Sequence, residues 1–508
     1  MIDDLDTSMK YYKSRLTLIQ NKDSWLNFAI LAKKMNLLVE VEEAINICIN
    51  ISNESVKNAT QNTLQGQIND EFQLKLIFSA IKYLKGRIKD SIDILTELIT
   101  KYELKGTNCN FNAFLAFLYS EKGNTLNFTK HYEAAKRFKM IELGINLKKP
   151  KINLKVKNDY KRPTLPVEQV DNIWYSLINM FNDYQFYEIS EKLLQFIDES
   201  NKTSIRFLLE KAKILLFKKE NESVIQICDS IIAQDESNYN AWIIRGHAYY
   251  LMNNLFDSEE SYVKGIRCKP QNEKYDIKML SRLGIIYIRR KTCEDAKTIF
   301  LHILKEGTNN SFAWRYLGLA LTRLGEFESA EEALNETILL DIENPQSWAY
   351  LTMFCIEVGR KKQAYECLNE LLKMNYEEIE TISEIAQMFY HSGDFEIAAD
   401  LYKRVISIEP KFLDSYIKLA EIYFMKYDNT KKREAIAILK NGINYASDEK
   451  EKNSILEFIS MYESQMEYGA NNILDINNNE MNITGESNIQ KDNGPNMKDS
   501  FDHPFFNE

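Results

Sequence analysis

Gly325, Gly359 and Gly393 follow one another at intervals of 34 residues, and Ala330, Ala364 and Ala398 keep the same interval five positions later. A period of this length constrains the chain more than its composition does, because each block is one small unit that buries its apolar face only by stacking on the next. Inside the block, Trp314, Trp348, Ile382 and Tyr416 share one position, and Leu317, Leu351, Ile385 and Leu419 follow three residues later. That spacing marks one face of a helix. The next position is small: Gly318, Thr352, Ala386 and Ala420 leave room for a second helix to approach. The period glycines then tolerate the positive φ that ends a helix. A second helix opens with the period alanines, followed by Leu334, Leu368 and Tyr402.

Two antiparallel helices in a 34-residue unit are the tetratricopeptide (TPR) hairpin, so the fold class is all-α, a TPR-type helical-hairpin solenoid. Leu283, Gly284, Tyr287, Ala296 and Phe300 keep the phase toward the N-terminus. The block before them, with Trp242, Gly246, Tyr249, Tyr262 and Pro270, is displaced by four residues, and the slip falls at Gln271 to Lys274. Weaker units on Leu208, Ala212 and Leu215 and on Trp174, Leu177 and Phe181 complete about eight regular repeats over residues 171–447. Residues 1–140 carry a poorer set of about three degenerate hairpins, on Trp25, Phe28 and Ala29, on Phe78, Gly86 and Leu95, and on Leu115, Ala116, Tyr119, Gly123 and Tyr132.

Residues 141–170 form a basic linker with Pro150, Pro163 and Pro166, which cannot continue a helix. It reads either as a solvated connector or as a strap on an acidic partner such as tubulin. Residues 448–468 make a capping helix with Ile455, Leu456, Ile459 and Tyr462 along one face. Residues 469–508 are Asn-rich and lack the apolar surface that would offset ordering, so a disordered tail is expected. Its last aromatic cluster, Phe501 to Phe506, is either a plain terminus or a docking peptide.

A net charge of −10 argues against general nucleic-acid binding, which relies on a basic footprint. No run approaches the apolar length of a membrane span, and the first residues do not read as a secretory signal, so an intracellular chain without membrane contact is expected. The seven cysteines form no C-x-x-C pair and read as reduced, buried thiols rather than metal ligands or disulfides. Phosphate-loop, dinucleotide, zinc-protease and nucleophile-elbow motifs are all missing, and the five histidines lie far apart in the sequence. The expectation is therefore a binding protein, not an enzyme, with no cofactor and no metal.

TPR units present helix-A side chains at positions 2, 5, 9 and 12 of the repeat to a partner. Those positions hold Asn240, Ile243, His247 and Tyr250, then Lys278, Ser281, Ile285 and Ile288, then Phe312, Arg315, Leu319 and Thr322, then Gln346, Ala349, Met353 and Ile356. They do not form the Lys/Asn/Arg clamp that grips carboxylate tails in one TPR subclass. A groove of His247, Tyr250, Phe312, Arg315, Leu319, Met353, Ile356 and Tyr390, centred on its apolar members, suits an amphipathic helix or extended apolar segment. The competing reading is that some of these side chains pack against neighbouring repeats.

The stretch Ala313-Trp314-Arg315-Tyr316-Leu317-Gly318-Leu319-Ala320, with Ala330-Glu331-Glu332-Ala333-Leu334-Asn335-Glu336 and Trp348-Ala349-Tyr350-Leu351, resembles the TPR region of the cilia- and flagella-associated protein seventy family. Trp242 to Tyr249 and Arg282 to Tyr287 are similar to its preceding repeats. The β-rich region ahead of the repeats in that family has no counterpart in this sequence. The resemblance implies a non-catalytic scaffold or adaptor of the ciliary axoneme, with axonemal protein partners such as dynein-arm or central-apparatus components. The alternative is a cytosolic TPR hub of a ubiquitin-ligase or transport assembly.

Overall fold

The computed structural model describes residues 21–57, 61–101, 109–142, 167–271, 274–307, 309–426 and 429–481, together with Met9 and Leu16. Among these residues there are 23 α-helices and no strand. Three hairpins come first: Lys22–Lys34 with Leu38–Lys57, Gln61–Leu84 with Ile88–Lys101, and Cys109–Glu121 with Thr125–Glu142. Eight follow. They pair Val167–Asp183 with Tyr187–Leu194, Ile205–Phe217 with Asn221–Gln234, Tyr239–Leu251 with Leu255–Cys268, and Ile277–Arg289 with Cys293–Glu306. Next come Ser311–Leu324 with Phe327–Leu340, Pro345–Glu357 with Lys361–Lys373, Ile379–His391 with Phe395–Ile408, and Leu413–Lys426 with Asn429–Ile443. A final helix spans Glu449–Met481. The all-α TPR class expected from the period is the fold observed.

Each hairpin turns in one way. The residue at the period-glycine position is left-handed in all ten hairpins whose turn is described: Gly86, Gly123, Gly325, Gly359 and Gly393, and equally Asn36, Gln185, Lys219, Asn253 and Lys291. The five non-glycine residues sit at φ between 59° and 66°, which for a side-chain-bearing residue costs roughly 1–2 kcal/mol. Helix starts are fixed just as locally. Asn238, Asn254, Asp276, Asn310 and Asn344 each accept a backbone N–H of the helix that follows, a cap that contributes about 1 kcal/mol.

The chain divides into two compact units, Met1–Glu343 and Asn344–Glu508. In the first, one continuous hydrophobic core runs from the first hairpin to Ile214. The helix Cys109–Glu121 is its centre and is buried nearly all round, with Phe111, Phe114 and Phe117 fully enclosed. Phe114 meets Phe181 at 5.0 Å, Tyr132 stacks on Trp174 at 5.7 Å, and Trp174 stacks on Phe196 at 4.8 Å. Polar ties follow the same route. Lys33 Nζ, itself buried, donates to Glu188 Oε1 at 2.8 Å, and Lys192 Nζ donates to Tyr83 Oη at 2.6 Å and to Glu121 Oε2 at 2.7 Å. The three degenerate hairpins therefore curl back onto the hairpin Val167–Leu194, and their inner face is filled by their own aromatic side chains.

The second unit has its own core, with Phe389, Tyr402, Tyr416 and Tyr423 buried. The final helix closes it: Ile455, Ile459 and Tyr462 are buried, and Tyr462 stacks on Phe424 at 4.1 Å. Of the basic linker expected over residues 141–170, the first two residues end the helix Thr125–Glu142, the last four open Val167–Asp183, and the rest lies outside the described residues. The final helix runs on to Met481, past the expected start of the disordered tail at 469, and the aromatic end of the tail lies outside the described residues.

Candidate partner-binding face

The small position of the repeat sets how closely the two helices of a hairpin approach. A Cβ on Gly246 would stand 2.5 Å from the Tyr262 ring, one on Gly284 2.5 Å from Phe300 Cζ, and one on Gly318 2.6 Å from Leu334 Cγ. Helix A is thus pressed onto helix B on one side. The same helices carry the candidate binding residues.

Their accessibility is uneven. His247, Arg315, Leu319 and Met353 are buried, whereas Tyr250, Phe312, Ile356 and Tyr390 are half-buried. For the first four, the packing reading holds. Arg315 has no exposed surface, and its guanidinium lies 5.7 Å from the Phe312 ring and 5.9 Å from Tyr316, both of which pack on Phe300 of the preceding hairpin. Leu319 in the first unit and Met353 in the second are each 2% exposed, so neither offers an open apolar surface.

His247 belongs to a buried polar cluster at the four-residue phase slip. Its Nδ1 is 2.6 Å from Tyr262 Oη, and its Nε2 lies 3.7 Å from Asp276 Oδ2. Asp276 in turn accepts from Met279 N at 3.0 Å, and its own N–H donates to Tyr239 Oη at 3.2 Å. The Arg282 guanidinium covers the Tyr250 ring at 4.6 Å. Burial, helped by Lys278 and Arg282, outweighs Asp276 and lowers the His247 pKa to about 4. Burial pushes Asp276 upward, but His247 and the N–H groups of Met279 and Lys278 overcome it and hold that carboxyl at about 2. The cluster clasps two hairpins together where the period slips.

His247 stays neutral in the fold down to about pH 4, whereas in the unfolded chain it binds its proton near 6.5. The unfolded state therefore holds more protons between those values, and stability falls as pH drops through them. The His247 contribution should be lower by about 2 kcal/mol at pH 5 than at pH 7. Urea unfolding at both pH values should show a smaller acid loss in His247→Gln than in the parent chain; equal losses would remove His247 as the cause.

The accessible part of the helix-A face in the first unit begins one repeat earlier than the sequence reading placed it. Leu209, Lys213 and Leu216, the counterparts of Ile243, His247 and Tyr250 one period before, are all partly exposed. With Tyr250, Ile285 and Phe312 they supply an apolar surface whose cation, Lys213, pairs with the nearly buried Glu210 at 2.8 Å. Carrying the same offsets back one block would have found them. In the second unit, Tyr390 donates to Glu421 Oε1 at 3.0 Å, and burial together with that carboxylate raises its pKa to about 12, so the phenol remains a neutral donor. Among the described residues no three of His, Cys, Asp or Glu come together as a metal site, and no helix is long and apolar enough to cross a membrane.

The family model described as Cilia and flagella-associated protein 70 C-terminal domain matches residues 202–455. The human Cilia- and flagella-associated protein 70 is 29% identical over 141 residues, covering 28% of this chain and 12% of that protein. The DnaJ protein P58IPK homolog A of Oryza sativa is 24% identical over 187 residues, 34% of this chain and 39% of that protein. The chain thus spans well under half the length of either relative. Among solved structures, a tetratricopeptide repeat protein from Parabacteroides merdae overlays with a TM-score of 0.40 at 15% identity, over 50% of this chain and 97% of that one.

Proposed function

The chain belongs to the family of the Cilia and flagella-associated protein 70 C-terminal domain, and from that membership we propose that it is a non-catalytic TPR scaffold of the ciliary axoneme. It holds other axonemal proteins, of the class found in dynein arms or the central apparatus, and neither nucleic acid nor membrane. The family match over residues 202–455 carries this reading, since it takes in the hairpins that bear Leu209, Leu216, Tyr250 and Phe312. Partly exposed apolar side chains at repeat positions 5, 9 and 12 support docking of an apolar helix or extended segment there.

A tagged copy at its native level in a ciliated cell tests the proposal. Retention on axonemes after detergent and salt extraction is the expected result, and a wholly soluble signal would overturn it. The second reading, a cytosolic TPR hub, draws support from the rice DnaJ relative, which matches a larger share of this chain than the human ciliary protein does. It predicts the protein in non-ciliated cells.

A further inference from the structure

We propose that the first helices of the four hairpins over residues 205–340 bind a partner segment that is acidic as well as apolar, an amphipathic peptide whose polar side carries Asp or Glu. This rests on the docking reading above and adds the charge of the partner. Charge is sorted between the two helices of each hairpin. The first helices, Ile205–Phe217, Tyr239–Leu251, Ile277–Arg289 and Ser311–Leu324, together hold nine Lys and Arg and a single carboxylate, Glu210. The second helices, Asn221–Gln234, Leu255–Cys268, Cys293–Glu306 and Phe327–Leu340, hold twelve carboxylates and four Lys and Arg. One set is thus eight charges positive and the other eight negative, in a chain whose net charge is −10.

Neither helix formation nor the repeat requires this sorting. The first turn of a helix favours Asp and Glu, and every second helix has an acidic residue there: Glu222, Asp257, Glu294 and Glu328 in turn. The first helices have none, and two of them put Arg206 and Lys278 in that turn instead. In the second unit the corresponding helices Pro345–Glu357, Ile379–His391 and Leu413–Lys426 carry five carboxylates and two lysines. The positive sign therefore belongs to this stretch and not to the TPR hairpin as such.

The first helices touch one another from hairpin to hairpin, so their charges share one layer. At positions 2, 5, 9 and 12 of the repeat this layer places Arg206, Lys213, Lys278 and Arg315 and no Asp or Glu. Arg206 and Lys278 are exposed, beside the partly exposed Leu209, Leu216, Ile285 and Phe312. Aromatic rings hold three of the guanidinium groups: Arg206 lies over Tyr175 at 4.1 Å, Arg282 over Tyr250 at 4.6 Å and Arg315 over Phe312 at 5.7 Å. Arg282 and Arg315 are buried, where water screens charge least, so they add to the potential that an arriving carboxylate meets. Glu210 is already engaged, since Lys213 and Asn182 donate to its two oxygens at 2.8 and 2.9 Å. Asp276, just ahead of Ile277–Arg289, accepts from Met279 N and sits beside His247. Apolar contacts hold the segment, and charge selects it.

Selection of a displayed library of random peptides on the full chain tests the proposal. Enrichment of sequences that combine Asp or Glu with Leu, Ile or Phe is expected, and the affinity of the winning peptide should fall as salt is raised. Arg206→Glu with Lys278→Glu changes two exposed first-turn sites where Glu suits the helix. This pair should keep the parent urea midpoint and weaken the peptide about tenfold. Glu332→Lys with Glu336→Lys, exposed on a second helix, should leave its affinity unchanged. Enrichment of neutral or basic apolar peptides would overturn the acidic partner while leaving apolar docking in place. No enrichment, tighter capture of mixed-sequence single-stranded DNA, self-association abolished by the first pair, or unchanged peptide affinity in that pair would also overturn it. Loss of the protein from extracted axonemes would strike the axonemal reading alone.

Discussion

Replacing Gly284 by leucine should abolish cooperative unfolding of the first unit, and even Gly284→Ala should destabilise it. At an exposed mid-helix site, glycine to alanine gains roughly 1 kcal/mol of helix propensity. Here the added carbon would stand 2.5, 2.8 and 2.9 Å from three atoms of the Phe300 ring, and Phe300 has no exposed surface into which it could swing. Overpacking of a filled core costs about 1–3 kcal/mol and more for larger groups, so the clash outweighs the propensity. Gly307 is the control, since a Cβ there meets nothing within 4 Å; Gly307→Ala should leave the urea midpoint where it was. A Gly284→Ala midpoint at or above that of the parent chain would mean that the helices do not meet at this residue.

Met353→Asp should unfold the hairpin that carries it. The sequence reading made Met353 part of an open groove, where a carboxylate would have cost little. At 2% exposure a carboxylate is instead buried without a partner, at a cost on the order of 3 kcal/mol or more. Met353→Leu keeps the volume and should cost less than about 1.5 kcal/mol. Hydrogen exchange across residues 344–466 reads the difference locally: protection should vanish in the aspartate variant and persist in the leucine one. Parent-like protection in Met353→Asp would restore Met353 to an accessible surface.

These two residues show what was legible in the chain. The small position and its large opposite number recur at fixed offsets, so Gly246, Gly284 and Gly318 could be read as contact points before any coordinates. The turns were half legible: five announce themselves by glycine, while Asn36, Gln185, Lys219, Asn253 and Lys291 adopt the same left-handed geometry without that signal, because closing the hairpin outweighs their local strain. Accessibility of the binding face was not legible. Periodicity reports which side of a helix a residue occupies, but Leu319 and Met353 are buried by packing that no single repeat encodes, whereas Lys213, at the equivalent offset, remains partly exposed. The inward curl of the degenerate hairpins was equally hidden, since Lys33 and Glu188 lie 155 residues apart.

That separation has a consequence at the ribosome. Across those 155 residues, at roughly 5–20 residues per second, Glu188 is polymerised about 8–31 s after Lys33. Until Phe181 and Phe196 have left the exit tunnel, the rings of Phe114 and Phe117 lack two of the partners that enclose them in the finished protein. The nascent N-terminal segment therefore waits with an oily, unsealed interior, and this interval is when a chaperone has most to shield.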